Sequence, residues 1–213
     1  GTYDFIKEID DSVKTIESLT TYPSILGGRV KTLHPKVFGG ILGRLQNEKD
    51  VEEMKQYEIP AFDLVIVDLY PFEETVKKTD DPAQIIEKID IGGISLIRAG
   101  AKNFNEVVIV PDSKYYLEFM ELYKNQNGCT RIEDRKRFAK YAFATSSHYD
   151  GMIYDWFAKD DEVADLNIHI DSRSELRYGE NPHQKAAFYG KLDEVFEKLH
   201  GKDLSYNNLL DLE

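Results

Sequence analysis

Two short segments of the chain are continuous apolar runs, whereas most of the remaining apolar residues follow helical spacing. The runs lie at residues 63–70 and 105–110, and Pro71 and Pro111 follow them directly. A strand that is buried on both faces of a parallel sheet has this pattern. We therefore predict two parallel strands, each ending at its proline.

Helical spacing recurs in several segments between and beyond these strands. The predicted helices lie at residues 2–10, 48–57, 82–89, 94–101, 113–123 and 132–150, with 151–159 as a continuation or a following turn. Residues 12–19 alternate polar and apolar side chains, which predicts a short strand or edge extension. Strands that alternate with helices are typical of an α/β layered domain with a mainly parallel sheet. Ligands bind such sheets at the carboxyl ends of the strands, which places Tyr70 near the site.

The composition changes at residue 159. Residues 159–175 form an acidic, turn-rich stretch that we interpret as a linker. We therefore expect a first domain at residues 1–158 and the start of a second domain at residues 176–213. A segment of ~40 residues is too short to form a stable domain by itself.

The charge balance disfavours two classes of partner. The chain has 39 acidic and 27 basic residues, and its net charge is -12. An acidic protein repels nucleic acid and anionic membranes unless a local basic patch intervenes. We therefore expect no nucleic-acid or membrane partner, although a local basic cluster can still hold a small phosphate ligand.

Cysteine and histidine usage disfavours disulfides and metal sites. Cys129 is the only cysteine, and the five histidines lack metal-ligand spacing. We therefore expect neither an internal disulfide nor a bound metal. No apolar run approaches the ~20 residues of a membrane span, and we identify no signal-peptide pattern. These features fit a reducing, cytoplasmic compartment.

Residues 27–42 stand out against the acidic background. Four cationic or potentially cationic side chains lie between two Gly-Gly pairs: Arg29, Lys31, His34 and Lys36. Glycines let the backbone approach a ligand closely, and successive amides in such a turn can point at one anion. The segment is therefore a candidate phosphate cradle. A glycine-rich surface turn with solvated cations explains the same residues equally well, because no standard phosphate motif is present.

Four further places combine ionisable or hydroxyl side chains with a position suited to ligand contact. They are Tyr70, Asp90, the pair Arg98 and Lys102, and the group Arg177, Tyr178 and His183. Tyr70 could donate a hydrogen bond to a developing oxyanion, or it could simply pack on Pro71. Asp90 could act as a general base or only cap a helix. The helical pair and the late group have solvated or structural alternatives, which the residues alone leave open.

Six motifs occur in a fixed order along the chain. They are Gly-Arg-Val-Lys-Thr-Leu-His-Pro (28–35), Asp-Leu-Tyr-Pro-Phe (68–72), Ile-Asp-Ile-Gly-Gly (89–93), Ala-Lys-Asn (101–103), Leu-Arg-Tyr-Gly-x-Asn-Pro-His-Gln (176–184) and Leu-Ser-Tyr-Asn-Asn (204–208). Together they resemble the bifunctional purine biosynthesis proteins, which combine IMP cyclohydrolase with AICAR formyltransferase. The resemblance covers essentially the whole chain.

The resemblance implies a fold, a reaction and an assembly. The implied first domain is methylglyoxal-synthase-like, and the start of a cytidine-deaminase-like formyltransferase domain follows it. The first domain of the family closes the purine ring of formyl-AICAR to give IMP and water, without a metal or redox cofactor. In the full-length protein, 10-formyltetrahydrofolate is the co-substrate of formyl transfer. The family also implies a homodimer.

The resemblance also assigns roles to individual residues. The implied catalytic residues are Lys31, Tyr70, Asp90 and Lys102. The implied phosphate-binding residues are Gly1, Thr2, Arg29, Lys31 and Thr32, and the implied AICAR contacts of the second domain are Arg177 and Tyr178. We expect Asp90 and Lys102 to transfer protons, and Tyr70 with Lys31 to stabilise the oxyanion.

The proposed proton-transfer pair poses a geometric problem. In an unbroken helix over residues 91–102, Asp90 and Lys102 would be about 18 Å apart at 1.5 Å per residue. Either the helix is short or bent, or the two residues serve different stages or subunits. Gly92, Gly93 and Gly100 make a short helix plausible.

The chain departs from the family pattern at both ends. The family's first phosphate loop, Ser-x-x-Asp-Lys-Thr-Gly, has no match, and Gly1-Thr2 is similar to the end of the next loop, Ser-x-Gly-Gly-Thr. The family's Lys-His motif for formyl transfer also has no match. We therefore expect a chain that lacks the first βαβ portion and has no formyltransferase activity of its own.

Two other functions share the expected fold. One is a methylglyoxal-synthase-type lyase acting on a triose phosphate. The other is a non-catalytic domain that binds a nucleotide phosphate for regulation, as in carbamoyl phosphate synthetases. The Lys-Thr-Leu-His-Pro and Ile-Asp-Ile-Gly-Gly motifs disfavour the lyase, and the combination of Tyr70, Asp90 and Lys102 favours catalysis over regulation.

Overall fold

The computed structural model describes residues 2–162, 165, 166, 168, 170 and 172–211. These residues form two compact units, Gly1–Ala164 and Asp165–Glu213. The boundary between the units falls inside the stretch that we interpret as a linker.

The first unit alternates helices with two short strands. Its elements are α1 (Thr2–Lys7), α2 (Ile16–Thr20), α3 (Pro35–Leu42), α4 (Glu48–Gln56), β1 (Leu64–Ile66), α5 (Phe72–Lys78), α6 (Pro82–Ile86), α7 (Gly92–Lys102), β2 (Val108–Val110), α8 (Tyr116–Asn125) and α9 (Ile132–Phe157). Short 3-10 turns cover Leu26–Gly28 and Ser113–Tyr115.

The two strands pair in parallel, as the apolar runs predict. Leu64 lies opposite Val108 and Ile66 lies opposite Val110. Beyond the strand ends, the Val67 amide donates to the Val110 carbonyl at 3.0 Å, so pairing continues toward the carboxyl edge. The mixed α/β architecture with a parallel sheet is therefore confirmed.

The prediction that both strands are buried on both faces is wrong for β1. All three residues of β2 are buried, but Leu64 and Ile66 remain 37% and 49% exposed. Val65 on the opposite face packs against the core. Side chains alternate between the faces of a strand, so β1 buries only the face that carries Val65. An apolar run does not reveal which of its faces the fold covers.

A close contact between α7 and β2 lies at the centre of the unit. One core cluster joins residues of α7, β2 and α9: Ile97, Ala101, Ile109, Ala139 and Ala142. A Cβ added to Gly100 would lie 3.0 Å from the Ile109 Cβ, so a larger residue at Gly100 would push α7 away from the strand. On the other face of β2, Val108 and Val110 pack with residues of α8 and α9. Buried apolar side chains therefore fix α7 and α9 against the same strand.

Several predicted element boundaries change. Residues 12–19 were predicted as a strand, but Ile16–Thr20 is a helix because the Thr15 side chain accepts a hydrogen bond from the Ser18 amide. Helix α6 ends at Ile86 rather than at residue 89, and α7 begins at Gly92 rather than at residue 94. The segments predicted at 132–150 and 151–159 form the single helix α9.

The second unit contains a hairpin and two short helices. Its elements are β3 (Arg173–Leu176), β4 (Ala186–Tyr189), α10 (Leu192–Val195) and α11 (Tyr206–Leu210). The strands pair antiparallel, with Arg173 opposite Tyr189 and Leu176 opposite Ala186. Residues 173–175 of the predicted linker are therefore strand residues of this unit.

No helix in the described ranges is long and apolar enough to cross a membrane.

Two adjacent glycines of α3 test the packing with a matched pair of variants. A Cβ at Gly40 would lie 2.3 Å from the Pro60 carbonyl oxygen and 2.6 Å from the Phe62 ring. We expect Gly40→Ala to lower the free energy of unfolding by about 1–3 kcal/mol, because the backbone has to shift. Urea unfolding measures the change.

Gly39→Ala is the control on the same helix. Its Cβ would meet only the Ile59 side chain, at 3.0 Å, and that side chain can move. The better helix propensity of alanine offsets this contact, so we expect a change within about 1 kcal/mol. Equal stability of the two variants would contradict the packing described for α3.

Candidate functional site

The basic segment, residues 27–42, contacts the amino end of α7 through Thr32. The Thr32 Oγ1 lies 2.9 Å from the position that a Cβ on Gly92 would occupy. Gly27 and Gly28 have φ values of +66° and +92°, which other residues rarely adopt, and these glycines turn the chain before Arg29. The structure therefore brings Thr32 and its neighbouring cations beside the residues that start α7.

Asp90 is fixed at this helix end. Its Oδ1 accepts a hydrogen bond of 2.6 Å from the Gly93 amide. A Cβ on Gly93 would lie 2.5 Å from the other carboxylate oxygen, so the contact requires a glycine at this position. A carboxylate is favourable here because the helix dipole and free amides place positive charge at the amino end. Asp90 therefore accepts a hydrogen bond from the first turn of α7, although Ile91 is the N-cap residue, and a role of Asp90 as base stays a prediction.

The cations of the basic segment already have carboxylate partners. Arg29 pairs with Glu87, and Lys31 Nζ lies 3.5 Å from Glu17 Oε1. The hydrogen bond and charge of Arg29 lower the pKa of Glu87, and the same pair raises the pKa of Arg29. All four side chains are substantially exposed, so these pairs contribute little stability. An anion that enters the site would replace one carboxylate partner with another negative group.

His34 caps the amino end of α3. Its Nδ1 accepts a hydrogen bond from the Lys36 amide at 3.1 Å. Lys36 Nζ lies 3.6 Å from Glu58 Oε2. Arg29 and Lys31 are therefore the cations of the segment that belong to the candidate site.

Tyr70 lies beyond β1 on the carboxyl side of the strand, but β1 ends at Ile66 and not, as predicted, at Pro71. It is 56% exposed, and Lys88 Nζ lies 5.7 Å from its ring centroid. Lys88 precedes Asp90 by two residues, so the same loop contacts Tyr70 and carries Asp90. Tyr70 also lines a cavity at the carboxyl ends of both strands.

This cavity has a volume of about 270 Å³, and both apolar and polar side chains line it. The wall includes Asp68, Asp112, Thr145, His148 and Tyr149. In the described part of the chain, the buried Thr145 Oγ1 has no hydrogen-bond partner. His148 Nε2 lies 3.5 Å from Glu73 Oε2. The position agrees with the rule that ligands bind at the carboxyl ends of parallel strands.

A tyrosine from α8 contacts Asp68, one of the residues that line this cavity. The Tyr116 hydroxyl donates a hydrogen bond to the Asp68 carboxylate. Burial, together with this hydrogen bond and the charge of Asp68, raises the pKa of Tyr116 to about 12. Tyr116 therefore stays protonated at neutral pH and keeps its donor role toward Asp68.

Lys102 lies at the opposite end of α7. The helix is unbroken over 11 residues, so the prediction of a short or bent helix is wrong. At 1.5 Å per residue, the exposed Lys102 is about 18 Å from Asp90 along the axis. A larger cavity of about 460 Å³, lined by Arg44, Asn103 and Asn105 among others, is beside this far end. Thr32 of the basic segment lies beside Gly92 near Asp90, and Tyr70 contacts the loop that carries Asp90 through Lys88, whereas Lys102 is at the far end of α7.

Two implied phosphate residues cannot be placed in the site. Gly1 lies outside the described residues. Thr2 is exposed and begins α1, a helix without buried side chains. Their phosphate-binding roles stay predictions. In the described ranges, no group of three or more histidine, cysteine, aspartate or glutamate side chains is arranged to hold a metal ion.

The second unit joins its two motifs through the backbone. The Arg177 amide donates to the Leu204 carbonyl at 2.8 Å, and the Tyr206 amide donates to the Tyr178 carbonyl at 3.0 Å. The Arg177 guanidinium lies 4.8 Å from the Tyr178 ring centroid and donates to the Tyr178 hydroxyl at 3.1 Å. That hydrogen bond is the main cause of a lowered Tyr178 pKa. Arg177 and Tyr178 therefore present one cationic and aromatic group.

The contribution of α9 to the cavity was not predicted from the sequence. Thr145, His148, Tyr149 and Met152 line the cavity, and their spacing of three or four places them on one face of the helix. That periodicity was available, but it could not indicate which face meets the strand ends. Tyr116 and Asp68 were missed because their contact joins positions 48 residues apart.

Comparison with family models covers nearly the whole chain. The model described as the AICARFT/IMPCHase bienzyme matches residues 100–213. The model described as the MGS-like domain matches residues 1–95. The two matches follow each other in the order that the motifs imply.

Individual proteins show the same similarity. The bifunctional purine biosynthesis protein PurH of Bacteroides thetaiotaomicron is 54% identical over 212 residues, which are 100% of this chain and 42% of the relative. PurH of Microcystis aeruginosa is 43% identical over 220 residues and is covered to 43%. This chain therefore spans less than half the length of these relatives.

A solved structure is also similar. The structure titled "Crystal structure of ForH" superposes with a TM-score of 0.60 at 36% identity. The match covers 74% of this chain and 82% of that chain.

Substitution of Glu87 tests whether Arg29 binds an anion. We expect Glu87→Gln to tighten the binding of inorganic phosphate about two- to fivefold, because Arg29 loses a competing carboxylate of modest strength. Isothermal titration calorimetry at low and high salt measures the change. Glu53→Gln is the control, because it makes the same charge change at the exposed Lys49 pair on α4. Equal dissociation constants for the two variants would exclude Arg29 as an anion contact.

Proposed function

Because the chain belongs to the AICARFT/IMPCHase bienzyme family, we propose that its first unit performs the IMP cyclohydrolase step of purine biosynthesis. In this step the carboxamide nitrogen of formyl-AICAR attacks the formyl carbon. A carbon–nitrogen bond forms, water leaves, and the closed ring is IMP. The observation that carries the proposal is the contact of Thr32 with the amino end of α7, which puts the basic segment beside Asp90.

The reaction needs a group that accepts a proton from the attacking nitrogen. Asp90 suits this role because it is half-buried and held at one defined position by the Gly93 amide. Only Oδ1 is engaged in that contact, which leaves the second oxygen for substrate. General-base catalysis of this kind contributes about 10²–10⁴-fold in rate.

The formyl oxygen becomes negative when the nitrogen adds. Tyr70 and Lys31 are the donors that we propose for this oxyanion. The adduct oxygen takes up the proton that the carboxamide nitrogen released and, as its bond to carbon breaks, leaves as water with the proton of the formamido nitrogen. Lys88, beside the Tyr70 ring, adds positive charge to the same place. Arg29 and Thr32 are the proposed contacts for the nucleotide phosphate. No cofactor takes part in these steps.

Lys102 requires a different arrangement. Since it is about 18 Å from Asp90 along α7, one chain cannot bring both residues to the same substrate. We propose that the protein acts as a homodimer and that a second copy supplies Lys102. A site shared between two copies keeps the catalytic role implied for Lys102 and agrees with the exposed position of its side chain.

The second unit contributes to the other activity of the family. We propose that Arg177 and Tyr178 contact AICAR during formyl transfer from 10-formyltetrahydrofolate in the full-length protein. Their stacked cation and ring suit a planar, anionic substrate.

Single substitutions test the catalytic roles. We expect Asp90→Asn to lower kcat about 10²–10⁴-fold and Tyr70→Phe to lower it about 10²–10³-fold, measured by ultraviolet absorbance as formyl-AICAR becomes IMP. Tyr57→Phe removes a similarly exposed hydroxyl at the end of α4 and should not change kcat. A near-normal rate would remove that residue from the mechanism. Binding of IMP by the unmodified protein without turnover would favour the regulatory function.

Mixed subunits test the role of Lys102. Asp90→Asn and Lys102→Ala homodimers should each be inactive. After the two are mixed and allowed to exchange subunits, about a quarter of normal activity should return, because half the dimers are mixed and each has one intact site. The control mixes Asp90→Asn with Tyr70→Phe, which lie in the same chain's site and should show no recovery beyond the residual rates. No recovery with Lys102→Ala would contradict its supply by a second copy.

A further inference from the structure

We propose that Tyr149 is a positioning residue for Asp90, an inference that rests on the proposed function of Asp90. The Tyr149 hydroxyl donates a hydrogen bond of 2.6 Å to the Lys88 carbonyl and accepts one of 2.9 Å from the Asp90 amide. The two contacts cross 61 and 59 residues of sequence. A single hydroxyl therefore holds the loop that carries Asp90.

The hydroxyl is presented by a rigid part of the molecule. Tyr149 is 8% exposed, and its ring packs edge-on against Phe72 at a centroid distance of 6.2 Å. Its helix, α9, also supplies the buried residues Phe138 and Ala142, so the backbone that carries the ring is fixed by the core. Burial raises the pKa of Tyr149, which keeps the hydroxyl protonated as a donor.

Asp90 is held at two points, one on its side chain and one on its backbone. Gly93 holds the carboxylate at one end, and Tyr149 holds the amide at the other. Loss of the hydroxyl would leave the Lys88 carbonyl and the Asp90 amide without this partner, and the loop would relax to satisfy them. A shift of about 1 Å in a reacting group can cost about 10²-fold in rate.

The same loop reaches the other proposed catalytic residue at this edge. Lys88, whose carbonyl Tyr149 binds, places its ammonium 5.7 Å from the Tyr70 ring centroid. Tyr149 and Tyr70 also line the same cavity. The hydroxyl of Tyr149 therefore connects the core helix to the part of the site where Asp90 and Tyr70 meet the substrate.

A double-mutant cycle separates positioning from a general structural role. We expect Tyr149→Phe to lower kcat about 10- to 100-fold, with KM within about threefold. In an Asp90→Asn background, Tyr149→Phe should produce little further loss, because it acts through a carboxylate that is already absent. Tyr141→Phe is the control on the same helix, since its hydroxyl makes only a 3.5 Å contact with Glu118. That control should leave kcat unchanged.

Two results would overturn the inference. One is a normal kcat in Tyr149→Phe, and the other is an equal fractional loss with and without the Asp90 carboxylate. Thermal unfolding of both phenylalanine variants verifies that they are folded at the assay temperature.

Amide hydrogen exchange provides a readout that does not depend on turnover. The Asp90 and Gly93 amides should exchange faster in Tyr149→Phe and at the normal rate in Tyr141→Phe. Unchanged exchange would exclude the positioning role even if kcat fell. If the unmodified protein bound no IMP and formed none, the proposed function would fail, while the exchange rates would still decide whether Tyr149 holds the Asp90 loop.

Discussion

The close packing of α7 on β2 is the constraint on which the rest of the first unit depends. Gly100 lets the helix approach until Ile109 fills the space that a side chain would need. This contact and the alanines of α9 fix the position of the helix, so they also fix its amino end. Asp90, Gly92 and Gly93 then stand beside the carboxyl edge of the sheet, where free helix amides favour negative charge.

The buried core around Asp90 and the exposed, charged basic segment contribute differently to the proposed site. The core elements α7 and α9 hold Asp90 from two sides, through Gly93 and Tyr149. The basic segment lies at the surface, and carboxylates from other parts of the acidic chain pair with its cations. Fixed geometry suits proton transfer, whereas exchangeable ion pairs suit a phosphate that has to bind and leave.

Local sequence patterns predicted the parts that depend on neighbouring residues. The apolar runs predicted the parallel pair of strands, and the motif order predicted the family and the residues of the basic segment. The exposed face of β1 was not predicted, because an apolar run does not indicate which of its faces other elements cover. The helix at Ile16–Thr20 was missed because the cap by Thr15 outweighs alternation. Tyr149 could not be predicted, since its contacts span about sixty residues. The short helix considered between Asp90 and Lys102 does not form, because α7 stays unbroken despite its glycines.

We propose that Asp90 and the basic segment form one nucleotide site at the amino end of α7. A crystal structure with IMP bound tests it most directly. We expect the purine ring within hydrogen-bonding distance of the Asp90 carboxylate and the Tyr70 hydroxyl, with Arg29 released from Glu87. IMP bound instead at the opposite end of α7, in the cavity beside Arg44 and Asn105, would contradict it.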